Sequence, residues 1–443
     1  MNDSSQSRPG SGRHDWGHTS RFISDLPDDE ESRDEDDKLQ VLFVDDEQSV
    51  LDGLRRMLRT ERRSWAMRFA NSPEEALRQM EAQPCDIVVS DLRMPNMSGA
   101  ELLTCIRERW PGTIRISLSG EADKAALFRT ISPAHQYLAK PCDPDLLRAA
   151  VSRAGALRRV LGNREISRIV GSGDDLPSLP ALYDELRTLL ASDDVSLQRV
   201  GQVIGRDIGM TAKILKLVNS ALFGLRRHIT SPVDAVNVLG LETVHGLVLN
   251  NQALDVIASQ TMQGVNLEAL NGHALRVAIM AREIVTYVKG SADLADAAFI
   301  AGMMHDLGRV IFAARLPDQY GHLVKSAIER GIPLYRAEFR VFQATHGEVG
   351  AYLLGLWGIA DTIIEAVALH HEPLRSGNSR PLVLAALHVA NAIDEHQHPE
   401  HLPTTGIEQG MVQRMGWGDT LGSLIGRCIK ILARDEEPQG DQP

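Results

Sequence analysis

The sequence predicts a multidomain protein, with a doubly wound, five-stranded parallel α/β domain followed by an all-α domain. Three observations lead there. Short continuous apolar runs alternate with helical patterns up to about residue 160. Beyond that point the β-branched runs stop and helical patterns follow one another. The chain of 443 residues is long enough for two or three domains that each bury a core.

The first 37 residues are expected to form a disordered acidic tail, because nine of the thirteen from Asp25 to Asp37 are acidic and cannot bury apolar surface. Order begins at Lys38. Residues 39–44 (LQVLFV) form a continuous apolar run, as a parallel strand buried on both faces requires. Similar runs recur at 86–90, 114–118 and 135–139, with a weaker one at 66–70. Between them, Val50, Leu51, Leu54, Met57 and Leu58 share one helical face over 48–60. Asn71-Ser72-Pro73 caps a second helix, Ser98-Gly99 a third, and Asp143-Pro144 opens one over 145–160. Strands alternating with helices give a parallel sheet covered on both sides.

After residue 160, Leu182, Leu186, Leu189 and Leu190 repeat at helical spacing. Val200, Val203 and Ile204 mark the next helix, and Ile214, Leu215, Val218 and Leu222 another. Ser231-Pro232 with Asp234 makes a good helix start. The final residues, RDEEPQGDQP, read as frayed.

Composition narrows the function. The formal net charge of −12 argues against a nucleic-acid-binding output, so no DNA binding is expected. The N-terminus lacks a secretory h-region and no apolar run reaches spanning length, so a cytoplasmic location with no membrane segment is expected. The four cysteines have no metal-ligand spacing and read as reduced bystanders.

Ligands of an open parallel sheet bind at the carboxyl ends of its strands. Asp45 and Asp46 follow the first strand and Asp91 the third, so three carboxylates would converge and need a cation; oxygen ligands with room for water suit Mg²⁺. Ser119 ends the fourth strand and Lys140 the fifth. A hydroxyl and an ammonium there can hold the oxygens of a phosphoryl group on Asp91. Together these groups describe aspartyl phosphorylation.

At this point the chain resembles the response-regulator receiver family, through Asp45-Asp46-Glu47, the segment Asp91 to Gly99 (DLRMPNMSG), Leu118-Ser119-Gly120 and Lys140-Pro141. The resemblance covers residues 38–160 and implies a sheet of order 2-1-3-4-5. It implies Asp91 as phosphoacceptor. Mg²⁺ would be bound by Asp46, Asp91 and the backbone carbonyl of Arg93, with Asp45 holding a metal-bound water. Ser119 and Lys140 would contact the phosphoryl group, Tyr137 would be the aromatic switch, and the peptide before Pro141 would be cis. A sensor histidine kinase or phosphotransfer protein is the implied partner.

Residues 174–397 are similar to the HDOD family of HD-related output domains, joined to the first domain by a helical linker over 161–173 and followed by C-terminal helices and an acidic tail over 398–443. The matching segments are LPSLP at 176–180, Ile204 to Asp207, Leu217 to Ala221 and Val238 to Leu241, with Phe223-Gly224. Further on, His273, His305-Asp306, His346, His370-His371 and Asn391 occur in the order seen in metal-dependent HD phosphohydrolases, more closely in their HD-GYP branch that hydrolyses cyclic di-GMP. Imidazole with carboxylate suits Fe, Mn, Ni or Zn. Three departures count against catalysis: Asn391 stands in place of an acidic ligand, the GYP signature is missing, and Arg309 replaces Lys. The expected output is therefore non-catalytic, acting on a downstream protein or through a homodimer. The alternative is a receiver-gated phosphohydrolase of cyclic di-GMP or another nucleotide.

Overall fold

The computed structural model describes residues 38–119, 134–160, 180–190, 195–220, 228–241, 243–244, 265–397 and 406–435, together with Val170, Ser192 and Leu225. The expected acidic tail (1–37), the linker over 161–173 apart from Val170, residues 176–179, Phe223-Gly224 and the frayed end after Asp435 lie outside the described residues.

The N-terminal sheet comprises β1 (Leu39–Val44), β2 (Trp65–Ala70), β3 (Ile87–Asp91), β4 (Ile114–Ser119) and β5 (Gln136–Ala139), all parallel, in the order β2-β1-β3-β4-β5. This is the order expected from the resemblance. β3 and β4 are buried along their whole length, which is why they read as continuous apolar runs. Three helices are interleaved with the first strands: α1 (Gln48–Met57), α2 (Pro73–Ala82) and α3 (Gly99–Arg109). Ser72 caps α2, and Ser98 with Glu101 forms a capping box on α3. α4 (Pro144–Val160) follows β5.

The two sheet faces have different neighbours. Leu42, Val44, Val88 and Tyr137 pack with α2 and α3 in a cluster of their own. Val41, Phe43, Ile87, Ile116 and Leu138 face α1 and α4, and their cluster continues without a break into the helical domain.

That domain contains α5 (Pro180–Leu190), α6 (Leu197–Ile204), α7 (Ile208–Val218), α8 (Pro232–Leu239), α9 (Leu267–Tyr287), α10 (Ala292–Met304), α11 (Leu307–Arg315), α12 (Pro317–Arg330), α13 (Leu334–Phe342), α14 (His346–Leu356), α15 (Asp361–Leu369), α16 (Leu382–Gln397), α17 (Gln409–Met415) and α18 (Leu421–Asp435). Asn219 in the LVNSA segment has a structural task. Its side-chain amide accepts from the Ile229 N–H at 2.7 Å and donates to the Ile229 carbonyl at 2.8 Å, closing the chain between α7 and α8.

One expectation needs correction. Residues Ala292–Arg315 are long and apolar enough to cross a membrane by length and composition, although no such run was expected. Burial explains it: 83% of the most apolar window lies inside the fold, and a helix buried all round is apolar all round.

The domains meet along α4. Leu157 is buried against Gly355 of α14, where an added Cβ would lie 2.6 Å from Leu157 Cδ1. Arg153 donates to the Ile359 carbonyl at 2.9 Å and pairs with Asp361 at the start of α15. Leu157→Ala should therefore cost about 2–5 kcal/mol of stability, read from urea denaturation of the full chain.

Candidate functional site

The carboxyl edge of the sheet gathers the residues that the sequence singled out. Asp45 follows β1, Asp46 is the next residue, and Asp91 closes β3; one carboxylate oxygen from each lies within 4.8 Å of the others. Lys140 reaches between them, with Nζ 2.7 Å from Asp45 Oδ2 and 2.8 Å from Asp91 Oδ2. Burial opposes its charge, but the two carboxylates outweigh that and raise its pKa. Asp91 Oδ1 accepts the Leu92 N–H at 2.7 Å, so both carboxylate oxygens are held in place.

The remaining residues lie around this trio. Ser119 ends β4 fully buried, and its carbonyl accepts the Lys140 N–H at 2.7 Å. Tyr137 is buried within β5, and Arg93 lies two residues beyond Asp91 in an exposed position. The Lys140–Pro141 peptide is cis. Three converging carboxylates with a single lysine fit the Mg²⁺ that the receiver fold implies, because a hard divalent cation relieves their mutual repulsion.

A second group of chemically active side chains lies in the helical domain. His273 comes from the first half of α9, His305 and Asp306 from the turn between α10 and α11, His346 from the first residue of α14, and His370-His371 from the end of α15. Gly308 allows this gathering: an added Cβ there would lie 2.0 Å from the His346 carbonyl oxygen, so the start of α11 meets the start of α14 with no room for a side chain. His273 Nε2 is 3.1 Å from His305 Nε2, and His346 Nε2 is 3.0 Å from His371 Nε2 and 3.4 Å from His370 Nε2. Asp306 Oδ1 is 3.3 Å from His346 Nε2, while its Oδ2 is 3.7 Å from His305 Nε2 and 2.6 Å from Arg309.

The imidazoles are held from behind. His273 Nδ1 faces Asp394 Oδ2 at 2.7 Å, His305 Nδ1 the Gly302 carbonyl at 2.7 Å, His346 Nδ1 Glu338 Oε2 at 2.6 Å, and His370 Nδ1 the Val367 carbonyl at 2.8 Å. Burial pushes His305 down to about 4, and lowers His370 and His371, with neighbouring imidazoles adding to the effect. For His346 burial is outweighed by Glu338 and Asp306, and its pKa is raised. Burial would raise the Asp306 pKa, but Arg309 and the imidazoles hold it well below the usual range.

Asn391 does not join the histidines by a hydrogen bond that the structure shows. Its amide donates to Glu395 at 3.0 Å, and its buried Oδ1 has no donor among the described residues. Sequence reasoning missed Glu338, Asp394, Arg276 and His388. Arg276 pairs with Asp394 at 2.7 Å, and His388 Nδ1 faces the His370 carbonyl at 2.7 Å. Asp394 could have been found, since it stands one helical turn after Asn391.

A doubly wound sheet with three carboxylates and a lysine at its carboxyl edge, joined to a helical bundle, defines a receiver-type signalling protein. Comparisons agree. The response regulator receiver domain family matches residues 41–152, and the HDOD domain family matches residues 176–373. The acid tolerance regulatory protein ActR of Rhizobium meliloti is 34% identical over 40% of this chain and 80% of its own length. An uncharacterised protein of Treponema pallidum is 29% identical over 47% of this chain, and the hydrogenase transcriptional regulatory protein HoxA of Cupriavidus necator 38% identical over 27%. The chain spans only 40% and 24% of those two relatives. Among solved structures, the MmoQ response regulator of Methylococcus capsulatus is 25% identical, with a TM-score of 0.46, over 57% of this chain and 98% of that one. The protein belongs to the two-component response regulators and carries an HDOD domain after its receiver.

Glu338 is buried and accepts from Tyr320, from the His346 backbone N–H and from the His346 ring. Glu338→Ala leaves those donors without a partner and should cost about 2–4 kcal/mol, with Glu338→Gln costing less, measured by denaturant unfolding.

Proposed function

We propose that Asp91 is a phosphoacceptor and that its phosphorylation controls the HDOD domain, which acts by contact with a downstream protein. The observation that carries this reading is Lys140, bonded at once to Asp45 and Asp91 at the carboxyl edge of the sheet. The donor would be a phosphohistidine of a kinase or phosphotransfer protein in the cytoplasm. An Asp91 oxygen attacks phosphorus, the P–N bond breaks, and the pair of electrons leaves with the imidazole. Lys140 offsets the added charge, and the Ser119 hydroxyl holds a phosphoryl oxygen. Mg²⁺ held by Asp46, Asp91 and the Arg93 carbonyl, with Asp45 holding a metal-bound water, would supply the remaining charge neutralisation.

The route to the output domain is short. Lys140 directly follows β5, and α4 starts four residues later with Pro144. α4 reaches α14 and α15 through Leu157 and Arg153. Tyr137 is buried in the cluster on the other sheet face, with α2 and α3, so its movement when Asp91 gains charge would repack that face.

A second reading, a receiver-gated phosphohydrolase of cyclic di-GMP or another nucleotide, draws on the six histidine and aspartate side chains that converge in the helical domain. Turnover of cyclic di-GMP by the purified chain would replace a contact-only output.

Purified protein with Mg²⁺ and acetyl phosphate should form one acyl phosphate per chain, seen by intact mass and absent in Asp91→Asn. Failure of the wild-type chain to form it sinks the switch. Arg153→Ala should still be phosphorylated, yet lose the phosphorylation-dependent change in hydrogen exchange over 346–369; an unchanged response would place the route elsewhere.

A further inference from the structure

We propose that the acidic run at residues 28–37 docks in a basic groove on the outer edge of the receiver sheet, so that the chain covers its own edge strand. β2 ends the strand order, and its outer row of N–H and C=O groups has no strand neighbour among the described residues. Such a row is a template for pairing with another chain unless something guards it. A groove of about 590 Å³ lies along this edge.

The groove has one sign of charge. Lys38, Arg55, Arg62 and Arg68 line it, and no carboxylate stands among its described lining residues. Two of the guanidinium groups are already fixed. Arg55 lies over the Phe69 ring, 4.5 Å from its centroid, and Arg68 donates to the Gln79 and Gln83 carbonyls at 3.0 and 2.7 Å. Arg55 also meets Asp52 at 3.2 Å, but that pair is exposed and weak in water. Half-buried Met67 and Phe69 add apolar surface to the lining.

Connectivity and charge together select the occupant. Residues 28–37 read DDEESRDEDD, with eight carboxylates against one arginine, so their charge is opposite to that of the groove. Asp37 is bonded directly to Lys38, which is itself part of the lining. A chain spans at most about 3.6 Å per residue, so the whole run lies within about 36 Å of Lys38. A segment tethered so closely has an effective concentration on the order of millimolar, at which weak exposed ion pairs are enough to hold it. The Leu39 N–H donates to the Ser64 carbonyl at 3.0 Å, and Leu39 pairs with Trp65, so the run arrives at the amino end of β2. Asp45 is not involved: β1 separates it from Lys38 by about 20 Å.

Hydrogen exchange of the full chain tests this. A variant with every Asp→Asn and Glu→Gln over 28–37 alters none of the described residues. Amides of 65–69 should exchange about threefold or more slower in the unsubstituted chain than in this amide variant. The difference should be present at about 0.1 M salt and vanish at about 1 M, where the Debye length is about 3 Å. Amides of Ile114–Ser119 should not respond. Arg55→Glu with Arg62→Glu should also remove the protection; both residues are exposed, and circular dichroism checks the fold. A fluorescein-labelled peptide DDEESRDEDD gives a second readout. It should bind the amide variant about tenfold or more tighter than the unsubstituted chain, whose groove is filled. Adding the two arginine changes to the amide variant should abolish that binding. Equal exchange in the unsubstituted and amide chains would overturn the proposal. So would protection that disappears on dilution along with a dimer seen by sedimentation, which would make a second copy the occupant. Equal peptide binding by both chains would show a groove open to a separate acidic protein, and binding that survives the arginine changes would place the contact elsewhere; either overturns the proposal.

Discussion

The arrangement of the protein depends on one helix that belongs to two cores. α4 follows β5 and covers one face of the sheet, with Leu147 and Val151 in the same apolar cluster as Val41, Ile87 and Ile116. Farther along, Arg153 and Leu157 engage α14 and the start of α15. A helix constrained on both sides cannot shift against one domain without disturbing the other, because close-packed interfaces move between discrete arrangements rather than deform smoothly. The partly buried Arg153–Asp361 pair and the Arg153 bond to Ile359 add direction to a contact that apolar packing alone would leave free to slide.

Both candidate sites share a second constraint: groups of one electrostatic character are forced together by rigid elements. In the receiver, parallel strands deliver Asp45 and Asp91 to one edge, and Lys140 answers them from a nearby strand end. In the helical domain, helix ends deliver imidazoles whose partners behind them hold the Nδ1 protons and turn Nε2 toward the centre. The receiver supplies its own cation in Lys140. Among the histidines, Arg309 pairs with Asp306, while the ring nitrogens face one another.

Much of this was legible in the sequence, for reasons of locality. Asp45, Asp46, Asp91, Ser119 and Lys140 sit at the ends of apolar runs, so strand position and chemistry are read together, while the strand order was legible only through the receiver resemblance. The histidines were legible because they occur in helical contexts in a recognisable order. Their supports were not. Glu338 lies in α13, an amphipathic helix with nothing in its spacing to mark a buried carboxylate. Asp394 was hidden by attention to Asn391, although α16 is buried along nearly all its length and any charge on it needed a partner. Gly308 was overlooked because a missing side chain gives no chemical signal until the His346 carbonyl is seen against it.

On the proposed reading, these features combine into a mechanical argument. A phosphoryl group on Asp91 acts first on Lys140, its direct partner, and Lys140 stands four residues before the first turn of α4. From Gly355, where α4 touches α14, back to His346 is nine residues, or about 14 Å of helix. Asp361, where Arg153 touches α15, is likewise nine residues from His370. Two short helices of equal reach thus connect the docking surface to the imidazole cluster, with Gly308 clamped against the near end of one of them. A displacement at the interface cannot be absorbed by a loop along that path, since none intervenes. Whatever the cluster holds therefore feels the state of the receiver, and by reciprocity its occupancy must bias the receiver in return.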